Sequence, residues 1–153
     1  MRRGAKLAPT FLKLNADWNA EPNAPAPEIE QSGGAIVLRF YLNHVEEDVG
    51  ALIFVGCSRW RLGPTNDEGW YMGQCRYSRT APAWGEFYEV IGDDPKRDAP
   101  NDWHPIAPDA TGDRHFLFYM RDNTFECMAA DWSFKQDELD TLRRTQAVNA
   151  KLR

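Results

Sequence analysis

The sequence has little cysteine and little histidine, and what there is lies scattered. Cys57, Cys75 and Cys127 are an odd number at wide spacing, with no CxxC pair, so they define neither a disulfide framework nor a thiolate metal site. All three fall in predicted strands, where a free thiol behaves as a small buried hydrophobe. His44, His104 and His115 show no ligand spacing. His44, Glu46 and Asp48 could be imagined around a metal ion, but no second ligand cluster accompanies them, and a solvated turn is the better reading. No P-loop, G-x-G-x-x-G, G-x-S-x-G or H-E-x-x-H occurs. No cofactor, metal site or catalytic residue is therefore predicted, and the reading leans away from an enzyme. No apolar run approaches the ~20 residues that span a bilayer. The basic start, Met-Arg-Arg-Gly-Ala-Lys, is followed by no apolar h-region. The expectation is a cytoplasmic protein without a membrane partner.

Positive charge is also sparse through the middle of the chain. The net charge is −5, yet residues 14 to 134 hold nine basic and 20 acidic residues, a local balance of −11. Such a body repels phosphate backbones, which argues against nucleic acid as a partner. Hydrophobic residues make up 42% and charged residues 27%, a composition that can bury a core and is not that of a disordered chain. A length of 153 residues suits one domain.

The most distinctive stretch present is residues 51 to 79. Two strand-like runs, Leu52 to Leu62 and Trp70 to Ser78, flank Gly63-Pro64-Thr65-Asn66-Asp67-Glu68-Gly69, a turn-forming segment. The runs are predicted to pair as a hairpin with Trp60 opposite Tyr71. Side chains alternate between the faces of a strand. One face then carries Trp60/Tyr71, Ser58/Gly73, Gly56/Cys75 and Phe54/Tyr77. Rings stand at both ends and almost no side chain fills the centre. Glycine inside a strand marks a bulge, a bend or the close approach of another group. Phe54, Gly56, Ser58, Trp60, Tyr71, Gly73, Cys75 and Tyr77 thus outline a hollow for a small ligand, unless another side chain such as Trp84 or Trp132 fills it. Arg59 and Arg76 fall on the opposite face.

Residues 1 to 34 read as a short edge strand around Phe11-Leu12-Lys13-Leu14, followed by a proline-rich extended arm with Trp18 and Ile29 as anchors. Ala35 to Asn43 is a strand with Ile36, Leu38, Phe40 and Leu42 on one face. Trp84 to Ile91 is another. Residues 92 to 113 contain four prolines and six aspartates and read as a long loop, with Trp103 packing it down while Asp102 and His104 stay near solvent. Arg114 to Trp132 is a second hairpin turning at Asp122-Asn123. Met120/Phe125, Phe118/Cys127 and Phe116/Ala129 form its core face. His115, Leu117, Met128 and Trp132 lie on its mixed face, which the C-terminal helix is expected to cover. Ser133-x-x-Gln136 resembles a capping box before a helix over Asp137 to Leu152.

The expected fold is mainly β, an antiparallel sandwich or curled barrel-like sheet, with one C-terminal α-helix. Its segments are the arm 1–34, the β domain 35–134 and the surface helix 135–153. Two functions follow: a domain binding a small molecule in the aromatic-walled hollow, or an acidic protein-protein interaction or inhibitor module. An enzyme ranks third.

Overall fold

The computed structural model describes residues 9–43, 48–64, 72, 77, 81, 83–92, 97–98, 101–106 and 112–152. The strands are β1 (Thr10–Lys13), β2 (Glu28–Ser32), β3 (Ala35–Tyr41), β4 (Val49–Val55), β5 (Arg59–Pro64), β6 (Phe87–Ile91), β7 (His104–Pro105), β8 (Arg114–Tyr119), β9 (Asn123–Ala129) and β10 (Asp131–Asp137). One helix, α1 (Leu139–Leu152), follows them. The strands form a six-stranded sheet, β1-β6-β8-β9-β5-β7, and a four-stranded sheet, β10-β4-β3-β2. Every pairing is antiparallel. Both sheets have free edges, so the architecture is a sandwich rather than a barrel.

Period-two alternation builds the core. Ile36, Leu38 and Phe40 of β3, with Leu52 and Phe54 of β4, face Phe87, Phe116, Phe118, Phe125 and Cys127 of the other sheet, and all are buried. Ring centroids meet across the interface at 5.2 Å for Phe40–Phe118, 5.3 Å for Phe54–Phe116 and 5.4 Å for Phe54–Phe125. Separations of this size suit tilted and edge-on aromatic pairs. The arm closes one side of the interface. The Leu14 amide donates to the Phe87 carbonyl, and Trp18 stacks on Phe134 at 4.3 Å with planes 5° apart. The arm is not wholly irregular, because Glu28–Ser32 forms β2 and turns through Gly33-Gly34 into β3.

Three sequence expectations are corrected. The run Leu52 to Leu62 is not one strand. Its first part is β4 of the four-stranded sheet and its last part is β5 of the six-stranded sheet. Gly56, at φ +60°, ends the extended run in the left-handed region that favours glycine. The Cys57 amide then donates to the Gly34 carbonyl and the Ser58 amide to the Met128 carbonyl, carrying the chain from one sheet to the other.

The second correction concerns the β8–β9 hairpin. It pairs Phe118 with Phe125 and bonds the Met120 amide to the Asn123 carbonyl, so it turns one residue earlier than expected. Partners shift by two, which keeps every side chain on its expected face. Third, Ser133 and Gln136 belong to β10. Trp132 and Phe134 alternate with Asp131, Ser133 and Lys135, a strand period that outweighs the capping pattern. Trp132 meets Phe87 in the core instead of standing on a mixed face. The helix starts at Leu139, after the Asp137 carboxylate accepts the Glu138 amide. It lies against the outer face of the four-stranded sheet, where the Arg39 guanidinium donates to Thr145. It therefore does not cover β8 and β9. Among the described residues no helix is long and apolar enough to cross a membrane.

Candidate functional site

Among the described residues, the outer face of the six-stranded sheet carries the most concentrated chemistry. Three strands contribute to it. Arg61 on β5 pairs directly with Glu126 on β9, and Glu126 pairs with Leu117 on β8, placing His115 diagonally beside it. All three polar side chains are buried, at 4% exposure for Arg61 and 1% each for Glu126 and His115.

The Glu126 carboxylate is the hub. Arg61 grips it in a fork, Nε to Oε2 and Nη2 to Oε1, both at 2.9 Å. His115 Nε2 lies 2.8 Å from Oε1, and the Tyr77 hydroxyl donates to the same oxygen at 3.3 Å. Arg97 Nε donates to His115 Nδ1 at 3.4 Å. His115 thus bridges Arg97 and the Glu126 carboxylate through its two ring nitrogens. Burial pushes the Glu126 carboxyl up, but the bonds from His115 and Arg61 outweigh it and hold the group down at about 2. Burial likewise works against the Arg61 charge, and bonding to Glu126 and Asp102 overcomes it and raises the guanidinium further.

The network extends outward into the 92–113 loop. Arg61 Nη1 donates to the Asp102 carboxylate at 2.7 Å and to the Arg97 carbonyl at 2.9 Å. The Trp103 ring lies over Arg61, with the guanidinium carbon 3.8 Å from its centroid, and also over Arg59 at 4.6 Å. Its indole N–H donates to the Arg97 carbonyl at 2.8 Å. Arg59 in turn bonds Asp98 at 2.9 Å. The loop is thus tied to the sheet through Trp103, with Asp98 and Asp102 at the surface.

The described residues among those expected to line one hollow, Phe54, Gly56, Ser58, Trp60 and Tyr77, are dispersed. Phe54 sits in the core between the sheets, while Tyr77 packs on the far side of the six-stranded sheet, at a turn beside Phe11 and His115. The two cannot oppose one another. Both backbone edges of Phe54 are occupied, by Ile36 and Trp132. Trp60 is paired on both edges as well, with Cys127 and His104. Its ring lies 4.8 Å from that of His104. Gly56 is exposed at the crossing between sheets, and Ser58 bonds the Gly112 and Met128 carbonyls. Tyr71, Gly73 and Cys75 lie outside the described residues, as do His44, Glu46, Arg76 and most of the Trp70 to Ser78 run.

Sequence reasoning missed the Arg61–Glu126–His115 cluster. A signal was present: His115 and Glu126 share the mixed second face of one hairpin with Leu117, Tyr119 and Met128. Only the non-local β5–β9 pairing shows that an arginine meets them. Cys127 lies in the core and His115 on the outer face, so no thiol–imidazole pair forms there. Among the described residues no group of three or more His, Cys, Asp or Glu is placed to hold a metal ion.

Compared with known protein families, with curated proteins and with solved structures, the chain matches none.

Proposed function

We propose that this sandwich is an acidic interaction module that presents its 92–113 loop to a basic protein partner. The observation that carries the reading is the buried network beneath the loop. Taking charges out of water is costly, and an apolar cluster of the same volume often stabilises a fold as well or better. What Arg61, Glu126 and His115 provide instead is direction: they fix where Arg97, Asp102 and Trp103 stand. A structure that buries ions in order to hold a loop is holding a loop whose conformation matters.

Charge supports the same reading. Four described arginines of the sandwich body are engaged by its own carboxylates: Arg39 by Asp137 and Glu30, Arg59 by Asp98, Arg61 by Glu126 and Asp102, Arg114 by Glu89 and Asp131. The negative excess of the body is left for an external cation. The small-molecule reading loses its support at Phe54 and Tyr77, whose rings serve internal packing on opposite sides of a sheet.

The test is affinity capture from source-cell extract with immobilised protein, wild type beside Trp103→Ala. The expected result is a partner retained at an ionic strength of about 0.05 M and released near 0.5 M, where screening confines charge interactions to a few ångströms. Trp103→Ala, which unties the loop, should fail to retain it. Equal retention by both proteins, or release that ignores salt, would remove the basis of the proposal.

A further inference from the structure

The N-terminal arm is held by elements far along the chain. β1 pairs with β6, and the Leu14 amide donates to the Phe87 carbonyl. Asn15 donates to the Glu86 carboxylate at 2.7 Å, and Trp18 stacks on Phe134. Ala20 bridges Leu42 at the end of β3, where the Asn43 amide donates to the Asn19 carbonyl. All these partners lie beyond β2 in the chain. What joins the arm to β2 is residues 21–27, Glu-Pro-Asn-Ala-Pro-Ala-Pro. This hinge is folded back on the β3 end: the Glu21 amide donates to the Tyr41 carbonyl and the Tyr41 amide to the Pro25 carbonyl. Folding back sets Ala26 at φ +47°, and among the described residues it is the one non-glycine at positive φ. Left-handed backbone presses a Cβ toward the following carbonyl oxygen. Pro27 comes next, and a proline restricts the residue before it to extended backbone. The compact hinge is thus strained, whereas the extended form natural to a proline-rich segment is not.

We infer that two copies of this chain exchange their arms, residues 10–20 of each seating on β6, Phe134 and the β3 end of the other. The seat is already shaped for this occupant, because it holds the same segment of its own chain. Stretched out, residues 21–27 reach about 20 Å, which carries an arm across to an adjoining molecule. The arm makes the same contacts in either form, so those contacts cancel and the hinge decides. Each opened hinge relieves one left-handed alanine, worth about a factor of ten. It gives up the Tyr41–Pro25 bond and surface bonds from the Asn23 and Ala24 amides to Glu21 and from Arg121 to Asn23. Water replaces most of what these supply. Two hinges open per dimer, so the relief counts twice. The exchange rests on the arm and its hinge alone, and not on the Asp-rich loop or its partner.

The test is sedimentation equilibrium of the full chain after long incubation. A tethered segment meets its own site at an effective concentration of about 1 mM, and relief at two hinges, less the bonds given up, brings the dimer dissociation constant to about 0.01–0.1 mM. A scan from about 1 to about 500 µM should therefore cross from monomer to dimer. Ala26→Gly accepts the left-handed angle without strain, so it should weaken the dimer about tenfold or more. A melting temperature at or above that of wild type would show that this variant folds. Deleting Asn23 and Ala24 shortens the turn on Tyr41, and should strengthen the dimer instead. Exchange itself is read by mixing Thr10→Cys chains with Ile91→Cys chains. Thr10 and Ile91 are paired and exposed. Air oxidation should therefore link the two chains when β1 of one copy lies on β6 of the other, and each variant incubated alone supplies the background from the native cysteines. A chain monomeric across the scan, a dimer indifferent to Ala26→Gly, or a mixture that cross-links no more than background would overturn the inference.

Discussion

Replacing Glu126 by glutamine tests the electrostatic account of the sheet's outer face most directly. Glutamine keeps the shape, but it removes the charge that balances a buried Arg61 and turns an amide N–H toward an arginine donor. Two routes give the size of the loss. The carboxyl is held from 4.5 down to about 2, and each pKa unit corresponds to about 1.4 kcal/mol, so ionised Glu126 contributes about 3 kcal/mol. Removing one member of a buried ion pair costs about 3–5 kcal/mol in measured cases. The expected loss at neutral pH is thus about 3 kcal/mol, a large part of the ~5–15 kcal/mol that holds a domain folded. Urea unfolding followed by tryptophan fluorescence should show the midpoint falling by about 1–2 M, for a slope near 2 kcal/mol per molar.

The pH dependence has a definite sign. The folded carboxyl titrates below its unfolded counterpart, so its contribution is complete above the unfolded value of 4.5 and is lost as pH falls toward about 2. Wild type and Glu126→Gln should therefore differ by a constant amount from pH 5 upward and converge below it. In a double-mutant cycle, Arg61→Met combined with Glu126→Gln should cost less than the two single changes together, because neither charge is then left alone. A loss below about 1 kcal/mol, or a difference that persists unchanged into acid, would refute the reasoning.

Other positions give sharper geometric tests. A Cβ at Gly112 would run into the Gly56 carbonyl oxygen and the Ala129 backbone, none of which can swing aside. Gly112→Ala should cost about 3 kcal/mol or abolish folding, whereas Gly34→Ala, with open space around it, should stay within about 0.5 kcal/mol by the same urea assay. Trp18→Ala removes the ring stacked on Phe134 and touching Phe40, Phe87 and Phe118, and should lower the thermal midpoint by an amount equivalent to about 3 kcal/mol in calorimetry. Asp137→Asn takes the carboxylate from Arg39, and should destabilise by about 1–2 kcal/mol. Burial raises the Asp137 carboxyl, but its bond from Arg39 prevails and lowers it, so this penalty should fade in acid, below the ordinary aspartate range.

Sequence patterns revealed the elements far better than their neighbours. The inward face of β3 and the faces of β8 and β9 were readable because alternation is local and strong. Trp103 was readable as an anchor because it is the large aromatic in a segment of aspartate and proline. The passage through Gly56 was not, since Phe54, Trp60 and Leu62 continue the same alternation on either side of it. A change of sheet leaves that period intact and shows itself only in one backbone angle. The buried cluster was hidden for a related reason. Arg61 and Glu126 are separated by 65 residues, and nothing local to either says they will be hydrogen-bonded partners. The β10 strand was misread because Ser133 and Gln136 satisfy a helix-start pattern whose meaning depends on whether Trp132 and Phe134 have a core to enter.

The pairing of β1 with β6, and of β10 with β4, bears on how the chain is made. Thr10 meets Ile91, so β1 waits for some eighty further residues before this neighbour is made. At the other sheet, Val49 waits for Asp137, and until then β4 shows a bare edge. A nascent chain therefore carries an incomplete layer on each side until β9 and β10 are made. Such edges recruit strands from other chains. The two layers gain β9 and β10 almost together, so folding in the cell should wait for these strands and be sensitive to the concentration of unfinished copies.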